Sequence, residues 1–414
     1  MEINEKTWKY IRQHADEDVR RLALQGTKDA DVDLQQALQQ IAGLQTARQK
    51  LPSWAATEGI VYPPHLNMEQ CSSELTARYK QRLVAHDSAT DGTGGTYIDL
   101  TGGFGVDFYW MSQGYGRRIY VEQDATLCEL ASHNFRLLGL ECEVCCCDTA
   151  TYLTEAVTQA TAVYLDPARR NTHGGRTYGI ADCTPNVLEL LPMLREKAST
   201  VVLKLSPMLD WRKAVSDLQQ VSEVHIVSVD NECKELLIII SNKEGATSLV
   251  DGGPAVVCVN LCKDGEQRFT FDASIATPTA SRPSLPVSPS SSLISHYLYV
   301  PNASIMKAGC FAALEQRYPV SQVAPNSHLF LSCDEIADFP GRRFQITAIS
   351  SASAKKVYQK FTTMKSANIS VRNFPMTAEQ LRKKLKLKDG GDTYIFATTM
   401  ADGQPQLFIC RKIG

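Results

Sequence analysis

Tyr97-Ile98-Asp99-Leu100-Thr101-Gly102-Gly103-Phe104-Gly105-Val106-Asp107 is the stretch that decides the fold. An apolar strand runs into a loop with three glycines, and a helix is expected from about Val106. Glycines at the C-terminal end of a strand let backbone approach a ligand closely. A dinucleotide-binding loop has the spacing Gly-x-Gly-x-x-Gly, and its third glycine packs helix on strand. Here Gly103-x-Gly105 is followed by Val106, Asp107 and Phe108, so that third glycine is missing. Two acids, Asp99 and Asp107, flank the loop instead.

Outward from this loop the chain alternates. Strands are expected at 97–100, 118–121, 142–147, 161–165 and 200–205, with helices from 106 and at 125–138 and 185–197. That order predicts an α/β fold, a doubly wound Rossmann-like parallel sheet. Residues 223–229 and 235–241 read as a hairpin around the polar turn 230–234, so the sheet should end with an antiparallel strand. Residues 1–85 read as a helical N-terminal region. Leu34, Leu38, Ile41 and Leu44 recur at helical spacing, Asp33 can cap that helix, and Pro52 should end it. A further helix should start at Ser72 or Ser73 and run to about Val84. Downstream, 256–261 and 268–272 form a hairpin, and 276–292 is a Ser/Pro/Thr-rich linker. Strands at 296–300 and 329–332 flank a helix at 305–317. From 342 the order is strand, helix, strand, helix, strand, strand, at 342–349, 354–361, 369–374, 378–387, 393–398 and 406–411.

The chain has 414 residues, 43% hydrophobic and 21% charged, which suits a multi-domain protein with a sizeable core. The N-terminus lacks the apolar segment of a signal peptide, and the longest apolar burst, 236–240, is too short to span a bilayer. Its 13 cysteines are odd in number and irregularly spaced, which points to reduced thiols and a cytoplasmic location. The net charge of −2 is unevenly spread. Residues 341–414 hold 14 Lys and Arg against 4 Asp and Glu, whereas the other 340 hold 29 against 41. A basic tail on an acidic body suggests a polyanionic partner.

Asp99, Glu122, Asp148 and Asp166 fall at the expected C-terminal ends of four successive strands. In an open parallel sheet those ends line one crevice. Each acid alone could be a helix cap; four in register with a glycine loop read as a site. Anionic side chains around bare backbone suit a cationic ligand better than a pyrophosphate. S-adenosylmethionine, with its sulfonium and ammonium, is such a ligand. Glu122 lies where a ribose is gripped, and Asp148 can accept from an adenine amine. The same register would serve a nicotinamide-dependent oxidoreductase, and the absent third glycine decides against it.

These residues resemble the motifs of class I S-adenosylmethionine-dependent methyltransferases. Residues 99–107 resemble the first motif, Val121-Glu122-Gln123-Asp124 the second, Cys147-Asp148-Thr149 the third and Leu165-Asp166-Pro167-Ala168-Arg169 the fourth. The Gly-Gly form of the first motif, the run after Asp166 and the stretch 70–80 look more specifically like a bacterial family. That family carries a C-terminal THUMP-like domain. The resemblance implies a cofactor set of Asp99, Thr101, Gly102, Gly103, Gly105, Asp107, Glu122, Gln123, Asp148 and Thr149. It implies catalytic roles for Asp166, Pro167 and Arg169, and a part for Gln70 to Thr76 in closing over the cofactor. In amine methyltransferases the fourth motif is Asn or Asp, then Pro-Pro, then an aromatic. Ala168 and Arg169 depart from it, so Arg169, Arg170 or Arg176 could bind phosphate and Tyr178 could supply a ring. The expected division is a helical region 1–85, a methyltransferase domain 86–245, a small α/β (ferredoxin-like) domain with linker 246–340, and a THUMP-like domain 341–414.

The expected substrate is structured RNA, tRNA or rRNA, methylated at a nucleobase nitrogen. Arg342, Arg343, Lys355, Lys383 and Lys384 are the expected RNA-binding residues, with Lys356, Lys386 and Lys388 beside them. No membrane and no metal are expected. An NAD-dependent oxidoreductase, a methyltransferase acting on protein or small molecules, and a non-catalytic RNA-binding protein remain alternatives. Cys142-x-x-Cys145 has no second pair at zinc spacing. Asp29-x-Asp31-x-Asp33 lacks the glycine and glutamate of a calcium loop. His173 is a loop histidine near the site that could accept a proton, and Cys183 is also close to the site.

Overall fold

The computed structural model describes residues 3–85, 94–155, 159–169, 179–241, 253–263, 265–273, 297–351 and 364–413. The chain forms two compact units, Met1–Val224 with Glu235–Ser248, and His225–Lys234 with Leu249–Gly414. The helix expected at 354–361 and the linker at 276–292 lie outside the described residues.

The first unit opens with α1 (Glu5–His14), α2 (Val19–Gln25) and α3 (Leu34–Lys50). Each begins where a short polar side chain takes an otherwise orphaned amide: Asn4 from Thr7, Asp18 from Arg21 and Asp33 from Gln36. Asp29 and Asp31 pair with Lys6 at 3.3 and 2.5 Å, which gives the acidic triplet a structural use. Pro52 ends α3 but also opens α4 (Pro52–Ala55), because its missing N–H costs nothing in a first turn. Then come α5 (His65–Gln70) and α6 (Glu74–Leu83), the latter capped by Ser73.

The alternating segment follows as β1 (Thr96–Asp99), α7 (Val106–Met111), β2 (Arg117–Glu122), α8 (Ala125–Leu137), β3 (Glu143–Cys146), α9 (Thr149–Glu155), β4 (Ala160–Leu165), the short β5 (Ala168–Arg169) and β6 (Cys183–Thr184), α10 (Val187–Lys197), β7 (Ala198–Leu205) and α11 (Trp211–Leu218). β8 (Glu223–Val229) and β9 (Glu232–Ser241) come next. Within this unit the strand order is β9–β7–β4–β1–β2–β3. All pairs are parallel except β9 with β7, which is antiparallel as the hairpin implied. The turn is tighter than the sequence suggested: Asp230 and Asn231, at φ 48° and 66°, make it alone. Two left-handed residues suit a two-residue hairpin turn, so β9 starts at Glu232 rather than Glu235. The strand order reverses between β1 and β4, the place where such sheets bind ligands. One core joins the N-terminal helices to the sheet, with Ile41, Trp54 and Tyr62 in the same cluster as Phe104, Phe108 and Phe135.

The second unit contains the antiparallel hairpin β10 (Ala255–Cys262) and β11 (Gly265–Asp272). It continues with β12 (Tyr297–Pro301), α12 (Ala303–Ala308), α13 (Phe311–Arg317), β13 (Ser321–Gln322), β14 (Phe330–Ser332), β15 (Gly341–Ser351), β16 (Asn368–Arg372), α14 (Ala378–Leu385), β17 (Thr393–Thr399) and β18 (Pro405–Ile413). The single helix expected at 305–317 is two, because Gly309 takes a left-handed φ of 66° and caps α12. A seven-stranded sheet runs β13–β14–β12–β15–β18–β17–β16. β12 pairs with β15 from Tyr297↔Gln345 to Pro301↔Gly341, so residues on both sides of 340 share one sheet. Phe344, Phe396 and Phe408 pack on one cluster, and Leu381 and Leu385 of α14 pack with Ile395, Leu407 and Ile409 in another.

Candidate active site

The glycine loop is seated on rings. Phe108, Tyr120 and Phe135 meet at centroid distances of 5.1 to 5.5 Å. A Cβ on Gly102 would lie 2.1 Å from the Tyr120 ring, and one on Gly105 would lie 2.5 Å from the Phe135 ring. The protein's own packing therefore requires these two glycines whether or not a ligand lies against them. Gly105 also needs its φ of 86°. At Gly103 a Cβ would meet only Thr101 O, at an ordinary 3.8 Å, but the φ of 55° still favours glycine; its carbonyl accepts from Tyr120 Oη at 2.6 Å.

A cavity of about 400 Å³ opens above this loop. Asp99, Thr101, Gly102, Gly103, Gly105, Asp107, Glu122, Gln123, Asp148 and Thr149 all line it, as does Asp166. The sheet thus brings together every expected cofactor residue from four strand ends. Gln70 and Ser72 line it as well, from the segment between α5 and α6. Pro167 is buried and is not part of the lining, while Ala168 is. Arg169 pairs through its backbone with Cys183 in the β5–β6 bridge. Arg170, His173, Arg176 and Tyr178 lie outside the described residues.

The acids differ in what they already hold. Asp99 is 1% exposed; its Oδ1 accepts from Thr101 N at 2.9 Å, and its Oδ2 has no hydrogen-bond partner among the described residues. Burial pushes its carboxyl well above the usual carboxylate range. Glu122 accepts from Gly103 N and Asp124 N, both at 2.9 Å, one on each oxygen, which fixes the carboxylate and leaves lone pairs toward the cavity. Asp148 caps α9, accepting from Ala150 N and Thr151 N at 3.0 Å and from the Thr151 hydroxyl at 2.6 Å. Thr149 donates to Leu100 O at 2.8 Å, and Thr101 Oγ1 accepts from Asp166 N at 2.7 Å, so both hydroxyls brace the strand ends.

Two lysines, one buried and one partly buried, were missed from the sequence. Lys80 of α6 is fully buried. Its Nζ lies 2.8 Å from both oxygens of Glu235, 2.8 Å from Ser72 Oγ and 3.0 Å from Asp107 Oδ1. Asp107 Oδ2 accepts from Ser72 Oγ and Tyr164 Oη at 2.7 Å each. Burial alone would raise the Asp107 carboxyl, but Lys80, Lys204, Ser72 and Tyr164 together hold it below its usual range. Asp107 is therefore an internal clasp between α6, α7, β4 and β9 before it is a ligand group. The second lysine, Lys204 of β7, is ion-paired through Nζ with Asp166 Oδ2. Burial would lower its pKa, yet Asp166, Asp107 and Glu235 overcome that and raise it. The available signal was local: a lone lysine in the apolar run of β7, and one glutamate at the head of the apolar burst in β9.

In the second unit, Arg342 stacks 5.9 Å from the Phe344 ring and Arg343 pairs with Glu335 at 3.3 Å. Lys383 pairs with Glu379 at 3.0 Å along α14, and Lys384, Lys386 and Lys388 are exposed. Lys355 and Lys356 lie outside the described residues.

The chain is similar over its whole length to a solved Porphyromonas gingivalis W83 protein described as a methyltransferase. The two are 30% identical, each chain is 100% covered, and the TM-score is 0.85. The chain belongs to this methyltransferase family. It is also 22% identical over 355 residues to an uncharacterised S-adenosylmethionine-dependent methyltransferase found in two strains of Mycobacterium tuberculosis, covering 83% of this chain and 87% of that protein. Residues 341–412 match the THUMP domain-like family and residues 297–340 a ferredoxin-like domain. The methyltransferase cleft fits S-adenosylmethionine on its own donor set. The orphaned, buried Oδ2 of Asp99 answers a cationic donor, and the Glu122 carboxylate answers hydroxyls.

Proposed function

We propose that this S-adenosylmethionine-dependent methyltransferase modifies a nucleobase nitrogen of structured RNA, tRNA or rRNA. The observation that carries the RNA reading is the THUMP domain-like match at 341–412, which coincides with the stretch holding 14 Lys and Arg against 4 acids. Such a surplus favours a phosphate backbone and makes binding salt-sensitive.

Bound S-adenosylmethionine supplies an electrophilic methyl group on a positively charged sulfur. Asp99, beside the loop at Gly103, would hold the amino-acid end, Glu122 the ribose, and Asp148 with Gln123 the base. Asp166, at the tip of β4, faces the same cavity and orients the acceptor. Because the transfer is an in-line displacement, much of the rate comes from holding the reactants in register.

The test is incubation of the protein with methyl-labelled cofactor and total RNA from a strain lacking the gene. The RNA is then digested and the modified nucleoside identified. Label in one nucleoside is expected. Label in protein alone would overturn the RNA reading.

A further inference from the structure

We propose that Lys204 is a positioning residue for methyl transfer: it holds Asp166 as a carboxylate whose Oδ1 stays open to the cavity, there to take the proton of an acceptor N–H. This rests on the nitrogen-methylation reading above and narrows the acceptor to a nitrogen that carries hydrogen.

Asp166 is fixed at two points. Its backbone N–H is held by Thr101 Oγ1 at 2.7 Å, and its Oδ2 is held by Lys204 Nζ. Among the described residues Oδ1 has no hydrogen-bond partner, and the side chain, 38% exposed, lines the cavity. Lys204 stands on β7, next to β4 through Tyr164↔Val202 and Leu165↔Leu203, and its side chain is only 12% exposed. An ammonium there is costly unless carboxylates answer it, whereas a leucine would fill the strand position without that cost.

The charges facing the pair come from every neighbouring element. Asp99, Asp107 and Glu235 are acids from β1, α7 and β9, Lys80 and Lys50 are cations from α6 and α3, and the Cys71 thiol and the Tyr164 hydroxyl of β4 face the pair as well. Burial, with Asp107 beside it, already raises the Asp166 carboxyl above its usual range, and Lys204 opposes that rise; without Lys204 the protonated acid at position 166 would be favoured further. A protonated Asp166 would donate to the acceptor instead of receiving from it. With Lys204 in place, the acceptor nitrogen bonds to the methyl carbon while the carbon–sulfur bond of the sulfonium donor breaks. The electron pair of that bond stays on sulfur as a neutral thioether, and the N–H proton passes to Asp166. An exocyclic amine or a ring lactam fits this arrangement. A bare ring nitrogen, having no proton to lose, does not use it.

The experiment uses the full chain with S-adenosylhomocysteine bound and aspartate carboxyls labelled with carbon-13, the Asp166 signal being assigned with Asp166→Asn. In Lys204→Met, and in Lys204→Gln should that variant fold poorly, the Asp166 titration midpoint should rise by a pH unit or more. Affinity for S-adenosylhomocysteine should stay within threefold, and Lys204→Arg should keep a near-native midpoint. With total RNA from a strain lacking the gene, kcat of Lys204→Met should fall tenfold or more at little change in KM. The acid limb of its pH profile should move up with the carboxyl. An unchanged Asp166 midpoint overturns the proposal, as does a pH-independent loss of activity matched by an equal loss of S-adenosylhomocysteine affinity. A wild-type protein inactive on RNA refutes the RNA reading, while the carboxyl titration still decides the role of Lys204.

Discussion

Replacing Lys80 with methionine should destabilise the first unit severely. Methionine matches the stem of lysine in length and keeps its packing, so the loss is mainly electrostatic. Lys80 is fully buried, and its partners Glu235 and Asp107 have side chains only 4% and 10% exposed. Removing the cation leaves two desolvated carboxylates facing each other. Breaking a buried pair in this way costs about 3–5 kcal/mol. For a unit of this size that corresponds to a melting shift of about 6–20 °C. All four tryptophans, Trp8, Trp54, Trp110 and Trp211, lie in this unit, so urea unfolding followed by tryptophan fluorescence reports on it without interference from the other. Adding Glu235→Gln to Lys80→Met removes one stranded charge and should recover about 1–3 kcal/mol. The sign with pH is fixed by Asp107, whose folded pKa is depressed. Its stabilisation is present above the unfolded value of about 3.9 and is lost as pH falls through the lower folded value. The gap between wild type and Lys80→Met should therefore narrow on acidification. A Lys80→Met protein within about 1 kcal/mol of wild type at pH 7 would refute the clasp.

Asp99→Asn should stabilise the ligand-free protein at neutral pH and flatten its stability profile, read by thermal melts from pH 4 to 8. The folded pKa of Asp99 is raised, so the native carboxyl costs stability as pH rises past about 3.9 toward that value. The same variant should bind S-adenosylmethionine about 10–100 times more weakly through loss of a charge-assisted bond; equal affinity would contradict the role given to Oδ2. Gly102→Ala places a methyl 2.1 Å from the Tyr120 ring and should cost about 1–3 kcal/mol, with a melting point that falls accordingly; an unchanged melting point would mean that the ring does not constrain the loop. Reversing Lys386 and Lys388 to glutamate should weaken RNA binding and flatten its salt dependence in a filter-binding titration, without changing the melt. RNA affinity unaffected by that reversal would remove the basic tail from the interface.

The sheet was legible because its strands are short apolar runs, those of β1, β2 and β4 ending at or just before an acid, and β1, β2, β4 and β7 each lie within two residues of their expected bounds at both ends. The cavity was legible for the same reason, since strand ends converge wherever a parallel sheet reverses its order. What the sequence hid was tertiary. Lys80 and Glu235 are 155 positions apart, and nothing local shows that they meet. Gly102 and Gly105 line the cavity, but the additional demand on them from Tyr120 and Phe135 was hidden, because the positions of those rings depend on β2 and α8 packing against the loop. Asp166 was readable as a strand-end acid, and it lines the cavity. Its partner Lys204 was not, because a lysine in a strand gives no sign of which neighbouring strand end it faces.

The cleft above Gly103 is claimed to hold a positively charged adenosyl cofactor, and calorimetric titration of the purified chain tests that most directly. S-adenosylmethionine and S-adenosylhomocysteine should each bind once per chain and compete with each other, while NAD should give no heat of binding. Saturable NAD binding with no response to S-adenosylmethionine would contradict the account.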